Sequence, residues 1–334
     1  MNFFQILSEI EKVDPEVYER FDSRRAVFKH MSGLGKKLTA AALPLAVSAV
    51  FNKAYGQTAP NLGVNDVLNF ALKLEYLESF FYNQRPSALF NANTKASIDL
   101  INTDEANHVG FLRTVLGAAA IVAPTPATFD YTAKGTFSDV FTNQNTYLAV
   151  AQSFEDTGVR AYKGAAPLGN VMANKTVLTA ALNIHSVEAR HSSQIRAIRR
   201  ALATSATTAP SQGVAVAPYS AAPKSWISGN DGGGAGGSAT AAVYAAGNDT
   251  GNATYGVGQG KIGPAAGVTF PSESNATQGG VLLNAMTSPN FTNFPAAAFS
   301  EAFDEGLDVG SVAKIANMFS VSYDPATGKG GYFG

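Results

Sequence analysis

The 334-residue chain has no cysteine, which excludes disulfides, thiolate zinc sites, iron–sulfur clusters and thiol nucleophiles. Any metal must rest on carboxylates, imidazoles or other oxygen donors. Charge is scarce as well. Asp, Glu, Lys and Arg make up 15%, against about 25% in ordinary globular domains. The 24 basic and 25 acidic residues leave a net charge of -1. That balance lacks the basic footprint of a nucleic-acid binder and the polybasic cluster of a membrane-surface protein. No apolar run approaches the roughly 20 residues that span a bilayer. What is present, 46% hydrophobic residues over this length, is enough for a sizeable core.

Four stretches follow from composition: 1–56, 62–203, 204–280 and 281–334. The first 22 residues are acidic and helix-prone. Ser23-Arg24-Arg25-Ala26-Val27-Phe28-Lys29 comes next, then a mildly apolar run from Leu38 to Phe51 and the small-residue end Ala54-Tyr55-Gly56. Basic pair, short apolar run and small-residue end form the order of an export signal. The paired arginines resemble a twin-arginine signal, although Val27-Phe28 stand where Phe-Leu is usual. The expected location is the periplasm, the cell envelope or the exterior. An ordinary amphipathic helix is the bland alternative.

Helical periodicity runs through 65–83, 92–118, 138–165 and 174–203. Pro86, Pro124 with Pro126, and Pro167-Leu168-Gly169 separate these segments. Four helices joined in this way read as an all-α antiparallel four-helix bundle. From 204 to 272 only Lys224, Asp231, Asp249 and Lys261 carry charge, and Gly, Ala, Ser and Thr dominate. Such a composition reads as linker or irregular chain. Trp226, Ile227, Tyr244 and Tyr255 are interspersed, as though part of the segment wraps the bundle. No Lys-Ser/Thr follows the glycines, so they form no phosphate loop. Residues 296–320 regain a helical pattern, read as one or two short helices packing back on the domain.

The helices hide a repeat. Leu68, Ala71, Glu75 and Tyr82 match Leu148, Ala151, Glu155 and Tyr162 at an offset of 80. Glu105-Ala106-Asn107-His108 with Arg113 matches Glu188-Ala189-Arg190-His191 with Arg196 at an offset of 83. Two helical hairpins related by a pseudo-twofold axis would produce this pattern. Residues three or four apart share a helix face, so each acid interrupts an apolar stripe: Ile98, Ile101, Glu105, His108, Leu112 and Val115 on one, Ala181, Ile184, Glu188, His191, Ile195, Ile198 and Leu202 on another. Desolvating an unpaired carboxylate costs several kcal/mol, while a whole domain is stable by only about 5–15 kcal/mol. No Lys or Arg lies on these stripes beside the acids. Two divalent cations would neutralise four carboxylates, and two imidazoles would complete their ligation.

One Glu from each of two helices, with Glu-x-x-His from each of the other two, is the di-metal carboxylate arrangement. With 12 Glu and 4 His, roughly 0.14 Glu-x-x-His pairs would arise by chance, and two stand on matched helices. The candidate ligands are Glu75, Glu105, His108, Glu155, Glu188 and His191. Tyr82 and Tyr162, two turns beyond their acids, either hydrogen-bond the ligand carboxylates or are core aromatics. Glu78, one turn past Glu75, reads as a surface acid ahead of an extra ligand, His185 as an ordinary polar position, and Arg113 and Arg196 as caps or pairs at the bundle periphery. His30 has no expected role.

At these residues the chain resembles the ferritin-like superfamily. More closely, it resembles the bacterial ferritin-like domain family that includes desiccation-related proteins. The resembling stretches run from Phe70 to Tyr82, from Phe154 to Tyr162 and from Val187 to His191 within about 62–203, with further similarity around Ala302-Phe303-Asp304. The resemblance implies a di-metal centre of two iron ions, or alternatively manganese, bridged by Glu105 and Glu188, flanked by Glu75 and Glu155, with one of His108 and His191 on each ion. It implies redox chemistry on iron, dioxygen or peroxide. It does not settle the reaction, because the superfamily spans iron oxidation and storage, oxygenases, peroxide reduction and manganese catalases. The Gly/Ala-rich segment is no part of the ferritin pattern, so cage assembly is not implied. Expected partners are metal ions and small oxidants, with a homo-oligomer left open. The competing expectation is a non-enzymatic envelope or stress-protection protein that uses the bundle as a scaffold.

Overall fold

The computed structural model describes residues 63–203, 224–229, 239–247, 270–285 and 297–334. The export-like segment, His30 and Tyr255 lie outside them. Four long helices carry the architecture: α1 (Val64–Asn83), α2 (Ala92–Leu116), α3 (Gln144–Ala165) and α4 (Lys175–Ala203). Side chains fasten their starts. The Asp66 carboxylate accepts from the Gly63 amide, Asn91 from the Thr94 amide, Asn143 from the Asn145 amide and Asn174 from the Val177 amide. Each satisfies an amide that the first helical turn leaves without a partner.

Helices α1 and α2 pack along one another, as do α3 and α4, and the two pairs meet through further contacts of α1 with α3 and α2 with α4. The core between them is aliphatic at one end and aromatic at the other. Phe81 lies at the centre of the aromatic part, stacked on Tyr147 at 4.5 Å between centroids and edge-on to Phe154 at 5.1 Å.

Helix α3 begins six residues later than the periodicity of 138–165 predicts. Residues 131–142 form hydrogen-bonded turns instead. Ala133 and Lys134 adopt φ of 46° and 60°, a left-handed conformation that a helix cannot contain. Phe137 and Val140 are buried here, Phe137 against Phe319, and the Thr142 and Asn143 amides close a turn on the Asp139 carbonyl before Asn143 caps the helix.

The later chain returns to the helices. The nine-residue helix α5 (Val309–Asn317), capped by Asp308, packs against α3. The one-turn helix Ala297–Ser300 precedes it, so the expectation of one or two short helices holds. Phe333 is fully buried near Phe70, and Lys73 donates to the Tyr332 carbonyl at 2.8 Å. Part of the Gly/Ala-rich segment docks on α3 as well. Tyr244 is buried and donates its hydroxyl to Asp156 at 2.7 Å. Arg160, fully buried on α3, pairs with Glu273 at 2.9 Å and donates to the carbonyls of Ala245 and Pro271, also at 2.9 Å. A short ribbon pairs Thr277 with Leu282 and Gln278 with Val281 around Gly279-Gly280, both at positive φ, the backbone that a two-residue hairpin turn needs.

Arg196 departs from expectation. It is fully buried, pairing with the Asp156 carboxylate and donating to the Ser192 hydroxyl at 3.2 Å and the Trp226 carbonyl at 3.1 Å. Once the Trp226 and Tyr244 segments cover that face of α3 and α4, the bundle periphery becomes interior. Arg113 is exposed and donates to the Tyr76 hydroxyl at 2.9 Å. Among the described residues no helix is long and apolar enough to cross a membrane.

Candidate metal centre

The four helices bring all six candidate ligands into two adjoining groups. Glu75, Glu105, His108 and Glu188 offer ligand atoms within 4.8 Å of one another, and so do Glu105, Glu155 and His191. All six side chains are buried, the four carboxylates completely.

In the first group the Nδ1 of His108 lies 3.2 Å from Glu75 Oε2, 3.1 Å from Glu105 Oε2 and 3.5 Å from Glu188 Oε1. One ring nitrogen has a single hydrogen or a single lone pair and cannot serve three carboxylates. In the second group the Nδ1 of His191 lies 2.8 Å from Glu105 Oε1 and 3.3 Å from Glu155 Oε2. Neither contact there has hydrogen-bond geometry: Glu105 Oε1, Glu155 Oε2 and His191 Nδ1 are buried without a hydrogen-bond partner, as are both oxygens of Glu188. Donor atoms that approach closely yet do not bond one another, and that are cut off from water, suit a cation between them. This fits the di-metal expectation. Glu105 alone belongs to both groups, sending one oxygen to each histidine. Glu188 joins the first group, and its Oε2 lies over Gly158.

The supporting contacts are reciprocal. Tyr82 of α1 donates to Glu155 Oε1 of α3, and Tyr162 of α3 donates to Glu75 Oε1 of α1. Both tyrosines therefore hold carboxylates of the candidate ligands, leaving the second oxygen of each acid to face a histidine. Burial first, and the neighbouring carboxylate next, keep both phenols protonated well above their usual range.

Excess negative charge dominates the electrostatics. Burial raises Glu188 well above the usual carboxylate range, and the charges of Glu105, Glu78, Glu155 and Glu75 raise it further. Glu105 is pushed by burial to about 7, although His108 and His191 pull it down. Burial lowers the histidines, but the carboxylates outweigh it. Glu105 and Glu75 lift His108 to about 10; Glu155 and Glu105 lift His191 to about 11.

Two residues beyond the six belong to this picture. Asp104 Oδ2 lies 3.1 Å from His191 Nε2. A carboxylate there holds a proton on Nε2, so a cation displacing the Nδ1 proton would meet the lone pair on the side of Glu105 and Glu155. Its position beside Glu105 was the available clue, but an exposed helical Asp is too common to stand out. Glu78 is the correction: it is buried, not a surface acid, and the charges of Glu105, Glu155 and Glu75 reinforce burial in raising it far above normal. Helix α1 is enclosed over more of its circumference than a single inward stripe implies. His185 is an ordinary polar position, its Nδ1 3.0 Å from the Val159 carbonyl.

Residues 63–201 match the family model of the ferritin-like domain. This part of the chain is a ferritin-like domain. The match covers every candidate ligand and the four long helices except the last two residues of α4. No curated protein and no solved structure matches the chain. The ferritin-like domain thus carries buried acidic and histidine groups able to bind metal, and the long tail beyond it contributes Tyr244, Glu273 and α5 to its outer layer.

Proposed function

We propose that residues 62–203 form an antiparallel ferritin-like four-helix bundle around a di-metal carboxylate centre, and that the protein is an oxidoreductase acting on iron, dioxygen or peroxide. The observation that carries this reading is Glu105, whose two oxygens face two histidines on different helices. A carboxylate so placed spans two ions, with Glu75, His108 and Glu188 around one and Glu155 and His191 around the other. Oxygen-rich ligation with one imidazole per ion suits iron, or manganese, better than copper.

Two bound iron ions would supply electrons in pairs, the unit in which dioxygen and peroxide are reduced. The chain's own residues set the conditions. Tyr82 and Tyr162 orient Glu155 and Glu75. Asp104 fixes the His191 tautomer. Gly158 leaves room for Glu188. The apolar stripes above and below exclude water. Without cysteine the chain has no thiolate-held electron donor of its own, so reductase turnover needs a partner, whereas peroxide disproportionation does not. The twin-arginine-like segment at 23–29 supports export of the folded, loaded protein to the periplasm or envelope. Fusion of residues 1–62 to a reporter that is active only outside the cytoplasm tests that part.

Elemental analysis with ferroxidase and catalase assays tests the centre. The expected result is about two ions per chain and turnover of iron or peroxide, both lost in Glu105→Gln. Bound metal without any turnover would overturn the enzymatic reading in favour of a scaffold whose metals are structural.

A further inference from the structure

The two hairpins of the repeat finish their ends differently. At one end Phe81 and Ile98 are fully buried, and the neighbouring surface carries an ion network in which Asp99 pairs with Arg85 at 2.6 Å and with Lys95 at 2.5 Å. The offset of 80 carries Phe81 and Arg85 onto Ala161 and Ala165. The offset of 83 carries Lys95, Ile98 and Asp99 onto Leu178, Ala181 and Leu182. Alanine replaces the large side chains and leucine replaces two of the charges. The three alanines line an apolar pocket that is partly open to solvent, together with Leu68 of α1 and Val177 of α4. Tyr162 supplies the one polar side chain of the wall, and its hydroxyl is committed to Glu75. Leu182, beside Ala181, stays exposed. An open apolar pocket with an exposed leucine next to it marks a surface built to be covered.

The equivalent end shows what covers it there. Helices α1 and α3 begin at equivalent positions, Val64 and Gln144. The turns ahead of α3 pack on Phe81: Tyr131 lies 5.2 Å from its ring centroid and Phe141 lies 6.0 Å from it. Tyr131 is also fastened to α1, donating its hydroxyl to the Leu77 carbonyl at 2.7 Å. The same offset of 80 that carries Phe81 onto Ala161 carries Tyr131 back onto Phe51, which stands as far ahead of Val64 as Tyr131 does of Gln144. Phe51 closes the apolar run 38–51, which contains no charged residue. The chain enters α1 beside the pocket, since Val67 and Leu68 in the first turns of that helix line it. A segment tethered this close is present at an effective concentration of about millimolar, above that of a separate molecule at micromolar level.

We propose that the chain's own segment 38–51 docks in this pocket, with Phe51 against Ala161 as Tyr131 lies against Phe81. Where the other hairpin carries a phenylalanine of its own, this one takes a ring from the chain ahead of α1. Docking covers the open end of the bundle and an uncharged run that otherwise faces water. No metal takes part in it.

Full-length protein, verified intact by mass, is made with p-benzoylphenylalanine in place of Phe51 and irradiated as an equal mixture of ¹⁴N and ¹⁵N chains. The expected result is a cross-link within one chain to the pocket wall, at Ala161, Ala165, Val177 or Ala181. Cross-links between light and heavy chains would put a second copy in the pocket and overturn the proposal. Cross-links away from the wall, or none, also overturn it. Full-length Phe51→Asp should raise the fluorescence of an apolar-surface dye by roughly threefold or more. It should also speed backbone hydrogen exchange across 38–51 by roughly tenfold or more. Val122→Asp, the same change at an exposed site, should alter neither. Ala161→Phe, which copies Phe81 and fills the pocket, should speed exchange across 38–51 as Phe51→Asp does. Unchanged exchange in both variants overturns the proposal. Metal content enters none of these readouts, so failure of the metal reading leaves the test intact.

Discussion

A methyl group on Gly158 would place its carbon 2.4 Å from Glu188 Oε2. Glycine in a helix interior normally costs stability, and here it sits in the middle of α3 with the carboxylate of the candidate ligand Glu188 lying over its backbone. Gly158→Ala should gain helix stability of about 0.5–1 kcal/mol, offset by displacement of Glu188. The expected outcome is a variant that melts near the wild-type temperature when metal-free and that takes up at most half the wild-type metal in elemental analysis. Full metal occupancy in the variant would show that Glu188 does not need this position.

Asp104 and His191 make a second, separable case. The Asp104 side chain is about one-third exposed, so its removal should not disturb folding. Losing the partner that orients a ligating histidine typically weakens metal affinity about 10–100-fold. Calorimetric titration of metal-free Asp104→Ala with Mn²⁺ should show one of two binding steps weakened by that factor and the other unchanged. Two unchanged steps would remove Asp104 from the site.

Periodicity and spacing made the four long helices and all six ligand candidates legible, because a Glu-x-x-His pair on an apolar face repeats in the sequence just as it repeats in space. Glu78 and Arg196 were misread because a helical stripe predicts the face turned to the core and not the layer laid over the other faces. Arg196 is interior only because Trp226 and Tyr244 arrive from an aperiodic segment. Periodicity over 138–165 starts α3 six residues early because Val140 is buried at helical spacing, while the Thr142 and Asn143 amides close a turn on the Asp139 carbonyl and Asn143 caps the helix.

The centre also dictates a pH response for the metal-free protein. Glu105 rises from 4.5 to about 7 on folding, and His108 and His191 rise from 6.5 to about 10 and about 11. In each case the folded state holds more protons than the unfolded state across the window, so stability falls as pH rises. Metal-free protein should therefore lose stability from about pH 5 through pH 9, measured by denaturant midpoint. Added metal displaces those protons, and its stabilising effect should grow over the same range. A metal-free protein that becomes more stable between pH 5 and pH 9 would contradict the charge balance described here.

Arg160 tests how firmly the tail is fixed. It is fully buried, paired with Glu273 and bonded to several carbonyls of the later chain. Removing one partner of a buried ion pair costs about 3–5 kcal/mol. Arg160→Met should lower stability by that amount in chemical denaturation and expose the segment around 239–247 to proteolysis, while the metal ligands remain in place. An unchanged proteolytic pattern would mean that the segment is held by other contacts.

Anomalous diffraction from crystals grown with Fe²⁺, collected on either side of the iron edge, tests the central claim most directly. Two iron peaks are expected between the four long helices, one on the His108 side of Glu105 and one on the His191 side. No iron peak among these side chains at saturating Fe²⁺, with the carboxylates satisfied by protons and water instead, would contradict it.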